Sequence, residues 1–162
     1  GVESLKSFVA AGGTLACLDT SCQIAIDSLG LPVKNVVRDA KPGTFFCPGS
    51  ILALDVNTSQ PLGFGMQPST SAFFAYSAAY EVGAPAAQAV AVGSYAAKDL
   101  LRSGWIEGAD VIAGRPAVVE ARHGQGRVVL FGFRAQHRAQ AYATFRLLFN
   151  ALLTSAGSTA PR

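Results

Sequence analysis

Methionine is almost missing from this chain: Met66 is the only one, and the sequence opens on Gly1-Val2-Glu3-Ser4-Leu5. We therefore expect a fragment of a longer protein that enters inside a helix. Charge is also scarce, with 14% charged residues against 50% hydrophobic ones, a balance that excludes disorder and suits one buried core. No apolar run approaches the roughly 20 residues of a membrane span. No basic segment leads into an apolar one near the start, so no signal peptide is visible. Histidine is limited to His123 and His137, and no Cys-x-x-Cys pair exists, so neither supplies a structural zinc pattern.

The 162 residues fit a single domain. We place it at residues 1–154, with a Ser-, Gly- and Pro-containing flexible tail over 155–162. The net charge is +3, and nine of the thirteen Lys and Arg residues lie from Lys98 onward. A basic C-terminal half suits a small anionic ligand or a carboxylate. No basic run interleaves with aromatics, which argues against nucleic acid. Cys17 lies in an apolar run and reads as a small core residue, while pairing of Cys22 with Cys47 stays open.

Helix, strand and turn signals alternate along the first third. Val2, Leu5, Phe8 and Val9 share one helical face, and Gly12-Gly13 ends it. Thr14 to Leu18 has the composition of a buried parallel strand. Asp19-Thr20-Ser21 then predicts the cap of a second helix carrying Ile24, Ile26 and Leu29, stopped by Gly30-Leu31-Pro32. This order indicates an α/β fold whose earlier strands are absent. Further strands are predicted at Ile51–Val56, Phe73–Tyr76 and Ala89–Val92, then a hairpin-like pair at Pro116–Ala121 and Arg127–Phe133. A closing helix is predicted from about His137 to Leu153, with Tyr142, Phe145, Phe149 and Leu152 facing the core and Gln140 and Thr144 away from it.

Five segments together carry a family resemblance: Phe45-Phe46-Cys47-Pro48-Gly49-Ser50, Gln60 to Met66, Gly114 to Val119, Gly126 to Arg138, and Phe145 to Asn150. They resemble the class I glutamine amidotransferase-like fold in its trehalose-utilisation-like branch. More narrowly, they resemble the C-terminal domain of bacterial zinc carboxypeptidases of the carboxypeptidase A type. The resemblance implies a flavodoxin-like mixed sheet flanked by helices, lacking its first strands. It also implies a parent that is secreted or periplasmic, with zinc and peptidase chemistry in a separate N-terminal domain that would be this domain's partner. Neither histidine here begins a His-x-x-Glu motif, so no cofactor is expected in this fragment.

In an active amidotransferase the resemblance implies a Cys on a sharp strand-to-helix turn, a His to take its proton, and a carboxylate to orient that His. The equivalent turn is Cys17-Leu18-Asp19-Thr20-Ser21-Cys22-Gln23, where the nucleophile position holds Asp19 and Cys22 lies about a turn further on. His137 falls where the catalytic His is expected, but its orienting Glu is replaced by Ala139. Asp19 and His137 are thus degenerate positions, and we expect a non-catalytic accessory domain that packs on the peptidase or assists its peptide substrate. Two alternatives stay open. One is a carboxylate- or sugar-binding domain using Arg134, His137 and Arg138; the other is a degenerate hydrolase using Asp19 or Cys22 with His137. The bland alternative for the cationic cluster is structural pairing with Asp19, Asp55 or Glu120. Trp105 with Phe73, Phe74 and Tyr76 is expected in the core, at a docking face or along a cleft.

Overall fold

A helix of nine residues, α1 (Val2–Ala10), ends where Gly12 swings to φ +111 and turns the chain into β1 (Thr14–Leu18). The computed structural model describes residues 1–41, 43–84 and 88–156. Of the apolar face expected on α1, only Val9 is buried; Val2, Leu5 and Phe8 are exposed. Helix α2 (Ser21–Leu29) follows, with Cys22, Ala25, Ile26 and Leu29 buried and Ile24 exposed. Its end is as the sequence predicts, with Gly30 in the left-handed region at φ +61. Its start is not: Thr20 makes no side-chain cap. Instead the Ser21 hydroxyl turns back to Leu18, accepting from its N–H and donating to its carbonyl.

The remaining strands are β2 (Val33–Asn35), β3 (Ser50–Val56), β4 (Ser69–Phe74), β5 (Tyr80–Val82), β6 (Ala89–Tyr95), β7 (Leu101–Ser103), β8 (Pro116–His123) and β9 (Gly126–Phe131). Seven of them form one sheet in the order β1-β9-β8-β6-β3-β4, with β7 also on β3. Only the β1–β9 pair is parallel among these; the others are antiparallel, and β8–β9 is the expected hairpin. The strand expected through Tyr76 stops at Phe74, because Tyr76 itself sits at φ +51. A separate ribbon pairs β2 with β5.

Side chains alternate across the sheet, as the pleat requires. On β9, Val128 and Leu130 join a cluster under α2 and the β2–β5 ribbon, while Val129 and Phe131 join the larger cluster under α3 (Thr144–Ala156). The two layers also separate the cysteines. Cys22 belongs to the first cluster and Cys47 to the second, on opposite faces of the sheet, so that pair is not formed; all three cysteines are free thiols.

The closing helix departs most from expectation. It begins at Thr144, not near His137, and runs through Ser155, where a tail was expected; residues 157–162 lie outside the described residues. Its buried face is Thr144, Leu147, Asn150 and Ala151, whereas Tyr142, Phe149 and Leu152 are exposed. The reason is polar. The Thr144 hydroxyl lies 2.7 Å from the carbonyls of both Ala135 and Ala141, tying the preceding loop to the helix start. The Asn150 amide donates to the carbonyls of Leu62 (2.8 Å) and Phe64 (2.9 Å) in the turn around Pro61–Gly63. These bonds rotate the helix away from the face its aromatics suggest.

Two carbonyls held by one buried amide should make Asn150 costly to lose. Asn150→Ala is expected to lower the stability measured by urea unfolding by about 1–3 kcal/mol. Leu153→Ala, on the exposed side, should stay within about 0.5 kcal/mol.

Candidate functional site

Strands β1, β9, β6 and β4 run in one direction, so their C-terminal ends share one end of the sheet. There β1 breaks sharply into α2. Asp19, the first residue past the strand, adopts φ +54, a left-handed conformation that costs energy for any residue with a Cβ. Its N–H donates to the Phe131 carbonyl at 2.8 Å, and the Cys22 thiol donates to the same oxygen at 3.2 Å. Parallel pairing with β9 therefore continues one residue beyond β1 and fixes the bend. Asp19 thus sits on a strained strand-to-helix turn, at the position the resemblance gives the nucleophile.

The Asp19 carboxylate is 11% exposed and accepts from Arg134 Nε at 2.8 Å. Of the pairings weighed for the cationic cluster, this one is present, while Glu120 pairs with Arg127. The second carboxylate oxygen, Oδ1, is enclosed and has no hydrogen-bond partner among the described residues. His137 goes elsewhere: its ring stacks on Phe73 at 4.4 Å and 4°, on β4, at the opposite end of the strand order from β1. Arg138 and Ala139 follow at φ +47 and +56, forming the bend that precedes α3. The loop after β9 thus delivers Arg134 to the elbow and His137 to the far strand.

Cys22 faces inward. Burial pushes its thiol up to about 12 and that of Cys17 up to about 11, with the neighbouring Tyr80 hydroxyl partly offsetting the rise at Cys22. Cys47 is raised by burial as well. A thiol held neutral and enclosed is a poor nucleophile. The elbow therefore presents a carboxylate tied to a guanidinium, with no activated thiol beside it.

Sequence reasoning missed the other wall. Asn35 and Tyr80 are paired across the β2–β5 ribbon, which lies over α2, and Tyr76-Ser77-Ala78 leads into it. Together with Asp19, Cys22 and Gln23 these residues line a pocket of about 40 Å³. It shares Asn35, Tyr76 and Ser77 with a wider cleft of about 350 Å³ that also touches Phe45, Phe46 and Cys47. No spacing along the chain links these segments; the ribbon register does. Of the aromatics expected together, Phe74 is fully buried, whereas Tyr76 and Trp105 are exposed on either side of Phe46.

No family model and no curated protein matches this chain. Solved structures do. The chain overlays a β-galactosidase from Bacillus circulans sp. alkalophilus with a TM-score of 0.57 and 14% identity, covering 96% of this chain and 20% of that one. A putative ThuA-like protein from Bacteroides uniformis matches at a TM-score of 0.55 and 14% identity, over 93% of this chain and 61% of that one. A putative GMP synthase protein from Thermoplasma acidophilum matches at 0.57 and 10% identity, over 96% and 64%. The chain therefore spans about a fifth to under two thirds of these structures. The fold is the mixed α/β amidotransferase-like one, with helices on both faces of the sheet.

The enclosed thiols should react slowly. At pH 8, modification of native protein by a disulfide reagent is expected to run at least about a hundredfold below free cysteine, with three thiols appearing on denaturation. Stability should also fall in base. Below about pH 9 the thiols are protonated both folded and unfolded; above it the unfolded chain releases protons that folded Cys17 and Cys22 retain, up to about 11 and 12. Thermal melts should therefore decline progressively from pH 9 toward 11. At the elbow, Asp19→Gly should leave the melting temperature nearly unchanged. Asp19→Val, β-branched at positive φ, should cost about 1–3 kcal/mol.

Proposed function

We propose that this chain is a non-catalytic amidotransferase-like domain of a larger protein, where it packs against a catalytic domain or helps hold that domain's substrate. The observation that carries the reading is the elbow: the strained nucleophile position holds Asp19, and its carboxylate is bound by Arg134. An acyl-transfer reaction there needs an activated nucleophile with a base in reach. Cys22 is sealed beneath the Phe131 carbonyl, and His137 is stacked on Phe73. The fold's occurrence as about a fifth of a β-galactosidase chain supports an accessory role inside longer polypeptides.

The finer reading follows the sequence resemblance. The parent is an exported zinc carboxypeptidase, its metal and peptide chemistry lie in a separate N-terminal domain, and the present domain docks on that one. The degenerate hydrolase is the weaker alternative, because both its thiol and its histidine are already engaged.

Two measurements test this. Incubation of the chain with L-glutamine and with p-nitrophenyl acetate should release no ammonia or nitrophenol above the rate with buffer; turnover abolished by Cys22→Ala or His137→Ala would overturn the non-catalytic reading. Sequencing the coding region upstream should reveal a signal peptide, a His-x-x-Glu motif and a later His in the same frame. A frame without them would remove the carboxypeptidase parent and leave the accessory role standing.

A further inference from the structure

The pocket behind the elbow has acceptors with nothing to accept. Among the described residues, Asp19 Oδ1 and Gln23 Oε1 have no hydrogen-bond partner while being shut off from bulk solvent, and the fully buried Tyr80 Oη has only the Cys22 thiol beside it; all three residues line the same space. Buried polar atoms are rarely left this way, because each forfeits about 1–3 kcal/mol. Two such oxygens in one pocket point to a ligand that supplies hydrogen-bond donors.

The charges around the pocket narrow its chemistry. The Asp19 carboxylate is already bound by Arg134 at 2.8 Å, and Asp27, which also accepts from Gln23 Nε2, is bound by Arg38 at 3.0 Å. An ionic ligand of either sign meets a counter-charge that is already spoken for. Neutral donors remain, and hydroxyl groups are the compact ones that fit.

The adjoining cleft narrows it further. Phe46 packs edge-on against both Tyr76 (6.2 Å) and Trp105 (5.6 Å), and all three rings are exposed, Tyr76 and Trp105 by more than half. Apolar rings left in water beside a cleft mark a binding surface. Tyr76 is moreover held at φ +51, so two residues of the same pocket, Asp19 and Tyr76, carry backbone strain. A pyranose ring combines an apolar C–H face, which stacks on such rings, with a rim of hydroxyls that reach the inner acceptors. The inner space of about 40 Å³ admits one or two hydroxyl groups, and the outer cleft of about 350 Å³ admits a sugar ring.

We propose that the cleft running from Asp19 and Gln23 to the Phe46 and Tyr76 rings is a binding site for a neutral saccharide. This goes beyond the accessory role and is independent of it: hydrolysis assays bear on that role, and binding bears on this site.

The test is a titration of the ¹⁵N-labelled 162-residue chain with D-glucose, D-galactose and maltotriose. Sodium acetate and tetramethylammonium chloride serve as charged probes. At least one saccharide should give saturable shifts at the amides of Asp19, Gln23, Asn35 and Tyr76 and at the Trp105 indole. Phe46→Ala and Gln23→Leu should each weaken that binding at least fivefold without altering the rest of the spectrum. Failure of all three sugars to saturate would overturn the proposal. So would saccharide shifts that persist unchanged in both variants, or a response confined to acetate or tetramethylammonium, which would mark an ion site instead.

Discussion

The Phe131 carbonyl is the point on which the functional end of this molecule turns. In a parallel pair the ladder bonds are evenly spaced, so a strand that outruns its partner can continue donating to it. Asp19 does so: its N–H reaches Phe131 O while its φ has already crossed to +54. The Cys22 thiol reaches the same oxygen one helical turn later, so the first turn of α2 is fastened to β9 at two places. Without that acceptor the bend at Asp19 would lose its tie to β9 and keep only the Ser21 bonds to Leu18 and the pair with Arg134. Just past β9, Gly132 N–H donates to Ala117 O while its own carbonyl accepts from Ala78 N–H, which carries the constraint into the segment leading to Tyr80. A Cβ at Gly132 would come within 2.6 Å of Ala78 O, so that close approach is available to glycine alone.

Elements whose signals are local were legible in the sequence. Gly30 as a left-handed stop, the β8–β9 hairpin and the β1 run each depend on a few adjacent residues, and each is found where expected. Periodicity failed where side-chain hydrogen bonds outvote hydrophobicity. Thr144 and Asn150 look like surface residues in a helix of Phe, Leu and Tyr, yet they bury because the loop before α3 and the turn at Leu62 leave carbonyls that require donors. Exposed Phe149 and Leu152 follow from that choice.

The candidate site was half legible for a related reason. Asp19 and Arg134 stand at strand ends, where composition and turn chemistry draw attention to them. Gln23, Asn35 and Tyr80 are unremarkable in the chain and meet only through the pairing of two three-residue strands, Val33–Asn35 and Tyr80–Val82. Strands that short carry no usable alternation, so neither their pairing nor the pocket beneath them is written in any local pattern. His137 shows the converse error: a position expected at the elbow by its place after β9 is carried to β4, because the left-handed bend at Arg138 and Ala139 sets where that loop can go.

These features converge on a change in what a strained elbow can accomplish. A nucleophile gains from being thrust forward on such a bend because its attacking atom is exposed and its neighbours can shift its proton affinity. Asp19 occupies the bend with one oxygen committed to Arg134 and the other enclosed, so its carboxylate is held in place rather than presented for attack. The geometry still directs an acceptor into a confined space with little water to compete, and there a neutral donor gains more than it would on an open surface. The same backbone strain that would favour attack by a thiol therefore favours recognition when the residue is an aspartate, and the aromatic rings beside it extend that recognition to the apolar side of a ligand.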